Sequence, residues 1–294
     1  MKEKPIELKS FIILLILSVV WGSSFILIKK ALIAFDPIDL ACMRISISAL
    51  AFTPFILLQY KKVPWKDWKL FLAVGLTGSG IPSFMYFIAQ TNINSTVSGL
   101  LNSLTPIWTL IIGIMVFKNK LDASKSIGVL IGFLGAALLM IFGKSEGENT
   151  NLWFGLFVVF GTLCYGMSGN LVKHYFQKLD SIIISATSFF LIGPPAIGYL
   201  LYKGTFTNIT WTPEHTYSFG AILILSLIGT VLATIIFYKL IQDTTAVFGS
   251  SVAYIMPLVA MGWGLLDGEP IGLVVILSMT LILVGVYLIK KQNA

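Results

Sequence analysis

Trp21-Gly22-Ser23-Ser24, followed by Lys29 and Asp36, recurs as Tyr165-Gly166-Met167-Ser168, followed by Lys173 and Asp180. Each of these pairs is 144 positions apart. Further along, Ser79, Ser83, Tyr86 and Pro106 recur as Thr230, Thr234, Phe237 and Pro257, now 151 apart. The chain therefore reads as two copies of one unit, residues 1–145 and 146–294. Each copy consists mostly of hydrophobic runs long enough to cross a bilayer. Two membrane-spanning repeats in one short chain are the usual plan of a secondary transporter, with solute bound where the repeats meet.

Composition points the same way. The chain is 56% hydrophobic and 11% charged, with a mean hydropathy of +0.90. A soluble domain carries roughly 25% charged residues, so this chain lacks the charge to cover a surface facing water. Cys42 and Cys164 both lie in apolar runs and read as small packing residues rather than a disulfide. The first apolar run has no clear small-residue cleavage site and reads as a retained span.

A spanning helix needs about 20 mostly apolar residues. Candidates fall at about 11–30, 38–58, 70–89, 96–117, 125–143, 152–172, 182–202, 218–239, 246–266 and 271–289. The longest connection, Lys203 to Tyr217, holds Thr, Asn and Pro and reads as a loop. The expected fold is thus an all-α integral membrane protein of ten transmembrane helices.

Lys and Arg set the orientation. With the N-terminus cytoplasmic, only Lys29, Lys30, Lys144 and Lys203 fall outside, and Arg44 falls within a span. The remaining fifteen of the 20 basic residues lie on the cytoplasmic side. Both termini are then cytoplasmic. With five spans per copy, the two repeats run in opposite senses, an inverted pair able to exchange conformations. The net charge of +7 is accounted for by this asymmetry and by anionic lipid. No nucleic-acid partner is expected.

At this point the residues resemble a known family. The run WGSSFILIKKAL, then Asp36-Pro37, then Arg44 in the second span, is similar to the start of the EamA unit of the drug/metabolite transporter superfamily. Thr96 through Pro106 to Gly113 and Phe117 looks like that unit's fourth span, and Pro257, Gly264 and Gly268-Glu269 repeat it. The resemblance covers essentially the whole chain. It implies a ten-helix metabolite exporter, in a family whose members include YddG-like exporters of aromatic amino acids. Two positions depart from the pattern. Lys118-Asn119 stands where a Gly-Glu pair is usual, and Ser188 stands opposite Arg44.

Polar side chains within spans are costly, so they face protein or a hydrated cavity. Ser79, Ser83, Tyr86 and Gln90 share one helix face, as do Ser226, Thr230, Thr234 and Phe237, with Tyr238 beside them. Ser95, Ser98, Asn102, Thr105 and Thr109 form a stripe in the fourth span, and Ser250, Tyr254, Pro257 and Gly264 one in the ninth. Hydroxyls and small residues also serve plain helix packing. The larger Tyr86, Gln90, Asn102 and Tyr254 are harder to satisfy that way. The candidate cavity is therefore Trp21, Tyr86, Gln90, Ser98, Asn102, Tyr165, Tyr238, Ser250 and Tyr254. Trp21 and Tyr165 would serve as aromatic walls suited to a planar or apolar solute.

Pro106 and Pro257 remove backbone donors inside spans. They are expected to act as paired hinges, against the simpler reading of structural kinks. Arg44 has two readings: snorkelling to Asp36 or Asp39, which the short distance along the helix favours, or attracting a solute carboxylate. Lys29 and Lys173 read as snorkelling. The chain lacks G-x-x-x-x-G-K-[ST], H-E-x-x-H and any cysteine cluster, so ATP hydrolysis, metals and cofactors are not expected. No catalytic cluster lies within the spans, so no enzyme activity is expected.

The expected function is export of a small metabolite across the cell inner membrane by alternating access, with amino acids, aromatic or apolar, leading. The alternatives are a drug-like cation, a nucleoside or a sugar derivative, a passive channel, or a membrane-embedded enzyme. The expected partners are the solute and the bilayer, with the chain acting as a monomer.

Overall fold

A computed structural model describes residues 8–118, 123–142, 151–207 and 211–291. The described residues are helical, with no strand among them. The helical segments are α1 (Leu8–Ala31), α2 (Pro37–Lys62), α3 (Trp65–Ala89), α4 (Ser95–Met115), α5 (Ala123–Phe142), α6 (Leu152–Tyr175), α7 (Ser181–Lys203), α8 (Pro213–Asp243), α9 (Ala246–Leu266) and α10 (Leu273–Lys291). Eight of them are long and apolar enough to cross a membrane. The apolar stretches of α5 and α10 are shorter, Leu130–Leu139 and Leu273–Gly285. In a bilayer every backbone N–H and C=O must be satisfied internally, and a bundle of helices achieves this. Leu58, Leu201, Leu266 and Tyr202 are strongly exposed on the outside of the bundle, as a lipid-facing surface requires.

Helix starts are set by local chemistry. The Asn94 side chain accepts from Val97 N at 2.9 Å at the start of α4, and the Thr245 hydroxyl accepts from Phe248 N at 3.0 Å at the start of α9. These caps occupy equivalent positions in the two copies and satisfy amides that the first turn leaves free. The expected loop from Lys203 to Tyr217 is shorter than foreseen. Thr212 caps a helix that opens with Pro213 at its first turn, a favoured place for proline. Gly204 ends α7 at φ +66°, a conformation that glycine adopts without strain.

Small residues decide which helices meet. Without a hydrophobic drive between helices in lipid, close packing and hydrogen bonds hold the bundle. A Cβ at Gly22 would stand 2.6 Å from Val259 Cβ on α9, and one at Gly166 2.8 Å from Thr109 N on α4. The recurring Gly22 and Gly166 therefore let α1 touch α9 and α6 touch α4. Gly193 lets α7 approach Ala49 of α2, and Gly285 brings α10 against Gly128 and Gly132 of α5. The α2–α7 and α5–α10 pairs flank a central group of α1, α3, α4, α6, α8 and α9.

Four of the central helices are interrupted. α4 turns at Ser103 and Leu104 and restarts at Thr105, one residue before Pro106. α9 passes through a tight turn at Ser251–Tyr254 and restarts at Met256, one residue before Pro257. α3 and α8 each carry a π turn, Leu76–Gly80 and Leu227–Leu232, at equivalent positions. Such turns widen a helix locally and often occur at functional sites.

Candidate functional site

The breaks surround one cavity. Its walls come from α1 (Trp21, Ser24, Phe25, Ile28), α3 (Gly78, Ser79, Tyr86), α4 (Asn102, Thr105, Thr109), α6 (Tyr165, Ser168, Gly169), α8 (Gly229, Thr230, Thr234, Phe237, Tyr238) and the first half of α9, with Arg44 entering from α2. About 90 Å³ is reachable by the centre of a water molecule, several times the ~10–15 Å³ that one water needs. The cavity is hydratable, and a polar head group inside it need not be stripped bare.

Each π turn places a hydroxyl on the wall. Thr230 Oγ1 donates to Leu225 O at 3.0 Å, five residues back, and accepts from Arg44 Nε at 2.9 Å. Its equivalent Ser79 is buried, lines the cavity and has no partner for its hydroxyl. Gly229 frees its carbonyl for Trp21 Nε1, which donates to it at 2.7 Å. Trp21 in turn meets Phe237 edge to face at 4.8 Å between ring centres, a preferred aromatic geometry.

The opposite wall is tied differently. The Tyr86 hydroxyl donates to Asn102 Oδ1, and Tyr86 lies 5.8 Å from Tyr165 and 6.0 Å from Phe25 between ring centres. Asn102 Nδ2 points to Met256 Sδ at 3.5 Å, joining α4 to α9. The hydroxyls of Ser168 and Tyr238 lie 3.3 Å apart. Asn170 Nδ2 donates to Thr109 O at 2.9 Å and Gly166 O at 2.8 Å, which holds α6 on α4 beside the glycine contact.

Of the nine expected cavity residues, Trp21, Tyr86, Asn102, Tyr165, Tyr238 and Ser250 line this space together. Gln90 and Ser98 do not. They bond each other at 3.3 Å, tying the end of α3 to the start of α4. Tyr254 is turned away with its hydroxyl buried and unpartnered. Pro106 and Pro257 lie beside the walls, next to the lining residues Thr105 and Met256.

The snorkelling favoured for Arg44 does not occur. Lys203 Nζ takes both acids, Asp36 at 3.0 Å and Asp39 at 2.8 Å, and Arg44 turns inward to Thr230 and beside the Tyr165 hydroxyl. Gly78, Ser168 and Gly229 were not among the expected nine. Ser168 and its neighbour Gly166 belong to the recurring motif itself, and the glycine cluster Gly75, Gly78 and Gly80 marks the π turn.

A charged cluster closes one end of the bundle. The Glu269 carboxylate, in the turn after α9, accepts from Ser95 N at 3.0 Å, Ser95 Oγ at 2.7 Å, Thr96 N at 3.0 Å and Thr96 Oγ1 at 2.6 Å. Lys29 of α1 reaches it at 3.0 Å and reaches Asp267 at 2.8 Å; Lys30 also pairs with Asp267. At the opposite end Lys173 donates to the backbone carbonyls of Gln242, at 3.1 Å, and of Thr244.

The EamA-like transporter family matches the chain twice, over residues 8–141 and 152–290. The chain belongs to that family. It is similar along nearly its whole length to other proteins named as transporters. An Archaeoglobus fulgidus protein named as an uncharacterized transporter is 24% identical, covering 97% of this chain and 100% of that one. The Escherichia coli K12 protein named as the uncharacterized inner membrane transporter YedA is 24% identical, covering 93% of this chain and 88% of that one. Bacillus subtilis YoaV, also named as a transporter, is 23% identical over 92% of this chain. A solved structure titled only as the crystal structure of a protein superposes with a TM-score of 0.65 at 15% identity, covering 97% of this chain; that likeness concerns the fold. As a member of the EamA-like family, the chain is a multi-span helical membrane transporter.

Proposed function

We propose that this EamA-like chain is a secondary transporter that moves a small solute through the central cavity by alternating access. The observation that carries this reading is the shared lining. Trp21 and Tyr165, Ser79 and Thr230, and Ser24 and Ser168 are equivalent positions of the two copies, and all six face one cavity. A site built equally from two related halves suits a carrier whose halves exchange roles. The halves are residues 1–145 and 146–294, inverted with respect to each other. The chain lies in the cell inner membrane with both termini cytoplasmic, as its Lys and Arg asymmetry directs, and it works as a monomer.

Amino acids are the first solutes to test, and a YddG-like preference for aromatic ones comes first among them. The walls offer aromatic faces at Trp21, Tyr86, Tyr165 and Phe237 with hydroxyl and amide groups between them. The proposed direction is export. The test is counterflow of labelled phenylalanine in proteoliposomes. Preloaded unlabelled phenylalanine accelerates entry of label if the chain is a carrier of this solute. Equal rates with and without preload point to a channel, and no entry above empty liposomes removes phenylalanine from the reading.

A further inference from the structure

Among the described residues Arg44 is a buried cation without a counter-ion. It lies about seven residues into α2, or ~10 Å from the start of that helix by helical rise, and only 8% of it is exposed. Among the described residues it makes no ion pair. Lys203 holds the two acids nearest to it in sequence, and Asp267, Glu269 and Asp243 are held by Lys29, Lys30 and Lys239. The cavity lining contains no Asp, Glu or Lys. Arginine stays charged in proteins. A charged side chain within a span is costly. That cost is met where the charge is hydrated or paired. Here Arg44 lines the hydratable cavity, the space from which a partner can reach it.

The geometry points to an anion site. We infer that Arg44 holds a single negative group of the solute, a carboxylate being the chemistry that its planar donors fit. This inference rests on the proposed use of the central cavity as the transport site, and it names the charge class of the cargo. Thr230 accepts from Nε, which fixes the guanidinium with its terminal nitrogens beside the Tyr165 hydroxyl on the cavity wall. The unpartnered Ser79 hydroxyl on the same wall supplies a further donor. The rest of the solute lies against the Trp21–Phe237 edge-to-face pair and Tyr165. The site therefore takes an aromatic-sized carboxylate, with or without an ammonium, and refuses the cation of the same shape. A drug-like cation would bring a second positive charge beside Arg44 with no acid to offset it.

The test is ligand protection of purified protein against thermal unfolding, with three compounds of one shape: hydrocinnamate (anion), phenylalanine (zwitterion) and phenethylamine (cation). Hydrocinnamate and phenylalanine are expected to protect, and phenethylamine to protect at least about tenfold more weakly. Arg44→Gln is expected to weaken both carboxylates by about tenfold or more and to strengthen the amine by removing the repelling charge, with Arg44→Lys restoring part of the loss. Equal protection by the amine overturns the inference. So does a lack of protection by both carboxylates up to about 10 mM, ten times the level of a weak 1 mM site. Unchanged affinity in a folded Arg44→Gln protein does the same. The selectivity of the unaltered protein stands as a test even if that variant fails to fold. Binding is read without transport, so charge-selective protection with no counterflow would remove the transport reading and leave the anion site.

Discussion

Lys29 of α1 and Glu269 of the α9–α10 turn meet at 3.0 Å over the N-terminus of α4, although 240 residues separate them. The carboxylate is nearly enclosed, with its side chain 2% exposed. It accepts two backbone amides and two hydroxyls, from Ser95 and Thr96. A helix N-terminus is a natural place for an anion. This carboxylate therefore joins α1, α4 and α9, three of the cavity walls, at one end of the bundle.

Replacing Glu269 should loosen that joint. Glu269→Gln keeps the size and loses the charge, so the hydrogen bonds weaken and Lys29 relies on Asp267. A loss of ~1–3 kcal/mol is expected. It is checked by the unfolding midpoint in detergent, with a double-mutant cycle against Lys29→Met to isolate the pair. A midpoint equal to that of the parent would show that the joint contributes nothing to stability.

Acid should act through the same group. Burial pushes the Glu269 carboxyl up, but the bonds from Ser95, Thr96 and Lys29 outweigh it and hold it below the usual carboxylate range. Lys29 and Lys30 hold Asp267 low as well. A carboxyl depressed in the folded state stabilises fully above its unfolded value, ~4.3 for Glu. That contribution is lost as pH falls through the folded value. The unfolding midpoint should therefore hold steady through neutral pH and drop in strong acid, and Glu269→Gln should flatten the drop. A drop of equal size in that variant would place the acid sensitivity elsewhere.

Much of the architecture is legible in the sequence, because it rests on local rules. Hydrophobic run lengths give the eight long apolar spans, although the caps at Asn94 and Thr245 stay unread. Gly22 and Gly166 stand out through the repeat, and the close approaches explain them. Six of the nine expected residues line the cavity, Tyr86, Asn102, Tyr238 and Ser250 placed by helical faces and Trp21 and Tyr165 by the repeat. Arg44 could not be read correctly, because the Lys203 that claims Asp39 lies 164 positions away. Glu269 stands out only as part of the motif, and its role could not be read because Lys29, Ser95 and Thr96 sit far away in sequence on α1 and α4. Gln90 and Ser98 lie on the expected polar faces, but near the helix ends, where Gln90 Nε2 bonds Ser98 Oγ.

The paired glycines should be sensitive in proportion to what they touch. A Cβ at Gly166 meets backbone, Thr109 N at 2.8 Å and the Trp108 carbonyl carbon at 3.0 Å, and neither can move aside without shifting α4. Gly166→Ala is expected to cost ~1–3 kcal/mol by overpacking. Gly198 has nothing within 4 Å, so Gly198→Ala should be neutral or gain up to ~1 kcal/mol from helix propensity. Unfolding midpoints of the two variants check this, and similar values would show that α6 does not depend on the close approach.

Pro106 and Pro257 each follow a break in a wall helix. If the breaks are hinges, Pro106→Ala and Pro257→Ala should slow phenylalanine counterflow while leaving insertion and the unfolding midpoint close to the parent. Restoring a backbone donor at each site would favour a continuous, stiffer helix. The double variant should be slower than either single one. An unchanged exchange rate in all three would leave the prolines as structural kinks.

Energy coupling gives the last prediction. Proton-driven carriers commonly use a carboxylate within the membrane that trades a proton for solute. Among the described residues the cavity lining has no Asp or Glu. Asp36 is held by Lys203 and Asp243 by Lys239, and Asp180 caps the start of α7. Glu269 is the most enclosed acid of the α9–α10 turn, yet Ser95, Thr96 and Lys29 occupy it. A proton bound there would have to break those bonds first. The solute is thus expected to run down its own gradient, by facilitation or exchange. Proteoliposomes with an imposed pH gradient and equal phenylalanine on both sides should show no net accumulation. Uphill accumulation abolished by Glu269→Gln would make the joint a proton site, and the same result with Asp→Asn at position 36, 180 or 243 would assign coupling to a helix-end acid.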